Sequence, residues 1–169
     1  MNVLNKYSGW TCDLIKQDMA KNSLPYTCLM SHVDGDCNLS TAIRNANAFG
    51  CKDIYYYGRR SWDRRGTVGT HHYTNLIFLD SMDSIKQLKS KYRFVAIECN
   101  IDRDCVSIHN YKIQPNTLFL FGEETKGLSN EVLDICDDFV YIPMLGSVRS
   151  LNVGTASGIV MAEAMRALT

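Results

Sequence analysis

Two apolar runs, each cut short by a residue that cannot continue a strand, constrain this chain more than any other feature. Thr117-Leu118-Phe119-Leu120-Phe121 reads as a strand that breaks at Gly122, and Phe139-Val140-Tyr141-Ile142 as a second that stops at Pro143. Between them a polar turn runs from Glu123 to Ser129, and Ser129 is placed to cap a helix reaching about Cys136. After Met144-Leu145-Gly146, the segment Ser150-Leu151-Asn152 leads into a helix of small residues with Asn152 near its cap. Two strands therefore end in loops on one edge of an α/β sheet, the edge where such sheets bind ligands.

Strands alternate with helices elsewhere too, which predicts a largely parallel sheet covered on both faces. We expect a charged helix at 12–22, strands at 26–30 and 53–57, a weakly marked strand at 76–79, a helix at 81–91 and a strand at 94–97. The segment 38–49 reads as a helix with Leu39, Ala42, Ile43, Ala46 and Phe49 on one face and Gly50 to stop it. No repeat or linker divides the chain, so the expected organisation is a short N-terminal helical segment, 1–24, and one domain, 25–169. The tract 58–75 is irregular.

With 169 residues and 46% hydrophobic content the chain can bury a full core. Lys+Arg 18 balance Asp+Glu 18, so bulk charge offers no argument for a nucleic-acid partner and any such contact needs local clustering. Residues 59–65, RRSWDRR, supply it: Arg59, Arg60, Arg64 and Arg65 against one aspartate, beside Trp62, which can stack on a base. The same segment also reads as a solvated charged loop. Seven cysteines show neither a C-x-x-C pair nor zinc-like spacing, which suits a reducing compartment, and no metal is expected. No apolar run approaches the roughly 18 residues of a membrane span, and the N-terminus mixes charge too early for a signal peptide. A cytoplasmic location follows as the expectation. His32 and His109 stand alone and are assigned no role.

The loop residues resemble the SpoU class of the SPOUT RNA methyltransferases, the ribose 2′-O-methyltransferases. Gly122, Glu124, Gly127, Leu128 and Ser129 meet the class's G-x-E-x-x-G-L-S pattern. Ile142, Pro143, Met144, Gly146, Ser150, Leu151 and Asn152 meet its I-P-M-x-G…S-L-N pattern. Asn38, Arg44 and Gly50 meet the first motif, N-x-G-x-x-x-R followed by a short helix and glycine, except that Ser40 stands where the family usually has its glycine. The resemblance runs from about Pro25 onward, and three motifs in order make it specific.

The resemblance implies a single-domain α/β fold, a mostly parallel sheet with helices on both faces and a C-terminal deep trefoil knot. It also implies S-adenosylmethionine as cofactor, tRNA or rRNA as substrate, and a homodimer. Gly122, Ile142 and Leu151 are the implied cofactor contacts. Physically, Gly122 allows close backbone approach, and Ile142, Met144 and Leu151 can wall an adenine. There is no G-x-G-x-x-G for a dinucleotide. Arg44 is implied to activate the ribose 2′-hydroxyl, although a guanidinium, with a pKa above about 12, is a poor base near neutrality. Base catalysis in a dry site and electrostatic stabilisation both stay open. Asn38, Glu124, Ser150 and Asn152 are the supporting residues. Gly154, Gly158 and Ala162 form a small-residue face for close packing, either in the knot or across a dimer. Two alternatives stand beside this reading: a knotted RNA base methyltransferase and a non-catalytic RNA-binding protein of the same fold.

Overall fold

The computed structural model describes residues 3–32, 36–99, 101–123 and 125–169. Its strands are β1 (Leu24–Ser31), β2 (Cys51–Tyr57), β3 (Leu76–Leu79), β4 (Arg93–Ile97), β5 (Cys105–Ser107), β6 (Thr117–Phe121) and β7 (Asp138–Tyr141). They form one sheet in the order β3-β2-β1-β6-β4-β7-β5, with every pairing parallel. The helices are α1 (Cys12–Lys21), α2 (Asp36–Ala48), α3 (Met82–Gln87), α4 (Asn130–Leu133) and α5 (Val153–Leu168).

The unbroken apolar run of β6 follows from its place. It lies between β1 and β4, with Phe119 opposite Cys28 on one side and Val95 on the other, and all five of its residues are buried. Alternation then sorts its side chains between two layers. Phe119 and Phe121 join Leu39, Ala42, Ile43 and Ala46 of α2 and Val160, Met161 and Ala164 of α5. Leu118 and Leu120 join Ile85 of α3 and Val132 and Leu133 of α4. Helices thus cover both faces, as expected.

The N-terminal segment packs Tyr7 and Ile15 against Tyr73, and Thr11 caps α1 by accepting from the Leu14 amide at 3.3 Å. Some expected elements are shorter. The 81–91 helix is α3 followed by a 3-10 turn, Leu88–Ser90, and α4 ends at Leu133 with turn bonds carrying the chain to Cys136. The edge strand β5 was not foreseen. None of the seven cysteines is in a disulfide among the described residues. Among the described residues no helix is long and apolar enough to cross a membrane.

Candidate active site

The C-terminal ends of β4, β6 and β7 meet the start of α5 around a cleft of about 420 Å³, within the roughly 300–1,000 Å³ of small-molecule sites. Gly122, Ile142, Met144, Ser150 and Leu151 all line it, so the structure gathers the expected cofactor residues and one expected supporting residue. Ile97, Phe121, Val153 and Ala156 extend the apolar wall, while Glu98, Lys126 and Arg149 supply charge. The 142–151 loop is tied to the end of β4 by the Cys99 thiol, which donates to the Arg149 carbonyl at 3.3 Å.

One wall is a folded-back loop. Glu123 and Gly127 exchange both backbone bonds, Gly127 N–H to the Glu123 carbonyl at 2.8 Å and Glu123 N–H to the Gly127 carbonyl at 3.2 Å. This return brings the Gly127-Leu128 peptide directly over Gly122. A Cβ at Gly122 would collide with the Gly127 carbonyl carbon and the Leu128 nitrogen, so glycine is required there by the chain itself. Gly127 holds φ +68°, and a Cβ on it would strike the Glu98 carboxylate.

Glu98 is the site residue that sequence reading missed. Its carboxylate accepts from the Leu128 amide at 2.7 Å and so holds the loop closed. Burial pushes its carboxyl above the usual carboxylate range, against the opposing effect of the Leu128 and Cys99 amides. A lone glutamate after a strand carries no periodic or spacing signal; only its position at the end of β4 could have marked it.

Asn38 and Asn152 sit where α2 meets α5. Asn152 caps α5 by accepting from the Thr155 amide at 3.1 Å, and its Nδ2 donates to Asn38 Oδ1 at 2.8 Å. The first and third motifs are therefore joined by a direct bond between their asparagines. Asn45 strengthens the junction, donating to the Gly154 carbonyl at 2.9 Å and the Ser157 hydroxyl at 3.2 Å. A Cβ at Gly154 would lie 3.0 Å from Thr41 Cβ, and one at Gly158 3.0 Å from Asn45 Nδ2. Those two small residues serve close packing against α2 within the chain. Asn152→Ala removes both the cap and the bridge, and we expect a loss of about 1 kcal/mol, with weaker cofactor binding through the displaced Leu151. Denaturant unfolding and calorimetric titration measure the two effects.

The Arg44 side chain is exposed on α2 and makes no hydrogen bond or ion pair among the described residues. Glu124 lies outside the described residues. The arginine tract is more structured than a solvated loop. Asp63 accepts from the Arg65 amide at 2.9 Å and from its guanidinium at 2.6 Å, and these bonds hold its carboxyl down at about 2. Arg64 lies over Trp62, with the guanidinium 5.9 Å from the ring centroid, and Arg60 over Phe78 at 5.4 Å. Trp62 is half-buried against the core and edge-on to His71, so it helps to anchor the loop. Ser40 is fully buried, and its hydroxyl donates to the Asp63 carbonyl.

The model of the SpoU rRNA methylase family matches residues 26–162. The chain is 28% identical over 159 residues to a tRNA (guanosine(18)-2′-O)-methyltransferase of Aquifex aeolicus, covering 90% of this chain and 74% of that protein. In structure it is similar to the A. aeolicus TrmH/SpoU tRNA modifying enzyme, with a TM-score of 0.81 at 25% identity, covering 92% of this chain and 81% of that one. It is also similar to an AdoMet-bound rRNA methyltransferase from Sinorhizobium meliloti, with a TM-score of 0.76 at 25% identity, covering 89% of this chain and 60% of that one.

Proposed function

The chain belongs to the SpoU rRNA methylase family and is an S-adenosylmethionine-dependent RNA ribose 2′-O-methyltransferase; from that premise we propose how its residues divide the work and that its substrate is a tRNA. The cleft suits the cofactor. Ile142, Met144 and Leu151 offer apolar surface to the adenine, and Gly122 keeps side-chain atoms out of the backbone's path. Glu98 places a carboxylate in the wall facing a ligand that carries a sulfonium cation. When bound, the cofactor supplies an electrophilic methyl group.

The observation that carries the reading is the Asn152–Asn38 bond of 2.8 Å, which ties the helix bearing Arg44 to the loop that walls the cleft. A ribose delivered to that junction has its 2′-hydroxyl among Arg44, Ser150 and the two asparagines. In this scheme Arg44 orients the hydroxyl and stabilises the negative charge that grows on its oxygen. Asn38 and Asn152 fix the approach of the two helices, and Glu124 holds the arginine or shapes the site. The test is methyl transfer from labelled S-adenosylmethionine to separated tRNA and rRNA, followed by nucleoside digestion and mass spectrometry. A 2′-O-methylnucleoside in the tRNA fraction is the expected product. A methylated base, or label in rRNA alone, overturns the corresponding part of the proposal.

Arg59, Arg60, Arg64 and Arg65 form the RNA-gripping surface in this reading. Asp63 engages Arg65, so Arg60 and Arg64 are the more informative pair. Replacing both with alanine should weaken tRNA binding and lower the salt-dependence slope by about 1.5, as read by filter binding across a salt series.

Three further features belong to the same proposal. The first is the C-terminal knot, supported by β6 and β7, which enter the sheet between strands formed earlier in the chain. The second is a homodimer, supported by the exposed apolar residues Leu145 and Val148. The third is a cytoplasmic enzyme whose catalytic unit spans 25–169, with 1–24 as an attached helical segment.

A further inference from the structure

On the RNA methyl-transfer reading above, we propose that Ser40 is a positioning residue which, with Gly66, seats the arginine loop on the helix that carries Arg44. Ser40 is fully buried under that loop and donates to the Asp63 carbonyl. A Cβ at Gly66 would lie 2.7 Å from Ser40 Cβ and 3.3 Å from its Oγ. The loop backbone therefore rests directly on the serine, and the missing side chain at 66 makes room for the one present at 40. The requirement at Gly66 is one of space, since its backbone is outside the left-handed region.

The loop is braced so that a shift at 63–66 must move it as a body. Asp63 is bonded to the backbone and side chain of Arg65. The Thr67 hydroxyl donates to the Arg64 carbonyl at 2.7 Å, is 2.6 Å from His71 Nδ1, and belongs to a fully buried residue. Ser40 lies four residues before Arg44, one turn away on the same side of α2. The Ser40 contact thus sets the offset between the arginines that grip phosphate and the arginine at the reacting hydroxyl. An error of about 1 Å in such an offset costs on the order of 10²-fold in rate.

The full-length chain and the variants Gly66→Ala, Ser40→Ala, Ser40→Gly and Ser40→Gly/Gly66→Ala test this. We expect Gly66→Ala to lower kcat/KM for RNA by about 100-fold while the Kd for S-adenosylmethionine and the circular dichroism spectrum stay unchanged. The double variant should recover to within about threefold of wild type, because removing the serine side chain makes room for the alanine methyl. Ser40→Ala, which keeps the Cβ and loses only the hydroxyl, should raise KM for RNA severalfold with the cofactor Kd unchanged. Unaltered RNA kinetics in Gly66→Ala, no recovery in the double variant, or an equal loss of cofactor affinity would each overturn the proposal. Should Gly66→Ala fail to fold, an unchanged KM in Ser40→Ala decides against it. A wild-type chain that methylates no RNA sinks the RNA reading instead, and the seating is then read without activity. Trypsin cleavage after Arg64 and Arg65 should speed up in Gly66→Ala and return to the wild-type rate in the double variant, and equal rates throughout would refute it.

Discussion

Gly122→Ala is expected to abolish S-adenosylmethionine binding and to lower Tm by about 3–10 °C. The added methyl has nowhere to go. Its neighbours are the Gly127 carbonyl group and the Leu128 nitrogen, backbone atoms fixed by the Glu123–Gly127 bond pair and by the Glu98 carboxylate on Leu128. A flexible side chain would swing aside at small cost, whereas here a whole loop must lift, and that loop is a wall of the cleft. Gly146→Ala is the control. It belongs to the neighbouring motif, yet a Cβ there meets nothing within 4 Å. Titration calorimetry and differential scanning calorimetry on both variants separate the effects. Full cofactor binding by Gly122→Ala would show that the loop opens freely, and the role assigned to Glu98 would fall with it.

The contrast between those glycines marks the limit of what the sequence could reveal. Both sit in motif positions, and both read as turn residues, but only the fold shows which one carries another peptide against it. The central strands were legible because an apolar run such as 117–121 has to be buried on both faces, and its bounds match β6. Even the weakly marked 76–79 matches β3, since Asn75 and Asp80 bracket an uninterrupted apolar stretch. Cys105–Ser107 was not legible. Three residues at the sheet edge, with Val106 exposed, leave neither an alternation nor a run to read. Trp62 misled for a related reason. Charge on both sides suggested a solvated aromatic, but its ring is held against the core by contacts to residues distant in sequence. The cleft was foreseen through Gly122, Ile142, Met144 and Leu151 because motif spacing carries across chains of this family. The role of Glu98 and the seating of Gly66 on Ser40 depend on contacts between segments far apart in sequence, which no local pattern marks.

Arg44→Ala should lower kcat by about 10²–10³-fold, leave the Kd for S-adenosylmethionine within about twofold, and change stability by less than about 0.5 kcal/mol. The side chain is exposed and bonds to nothing among the described residues, so its removal breaks no internal contact. Its fork of N–H donors is available to a substrate oxygen. Arg44→Lys then separates the two chemistries left open. Lysine keeps a positive charge but loses the planar fork, and it gives up its proton far more readily than a guanidinium. If residue 44 removes the proton from the 2′-hydroxyl, the lysine variant should grow more active as pH rises toward about 10. If the charge itself stabilises the developing alkoxide, the same rise in pH should diminish activity by removing that charge. We expect the second profile, in single-turnover rates measured from pH 6 to 10, because a cation that bonds to the forming oxyanion strengthens its hold as the proton leaves. Loss of cofactor affinity in either variant would mean that Arg44 belongs to the cleft wall and not to the RNA side of the junction.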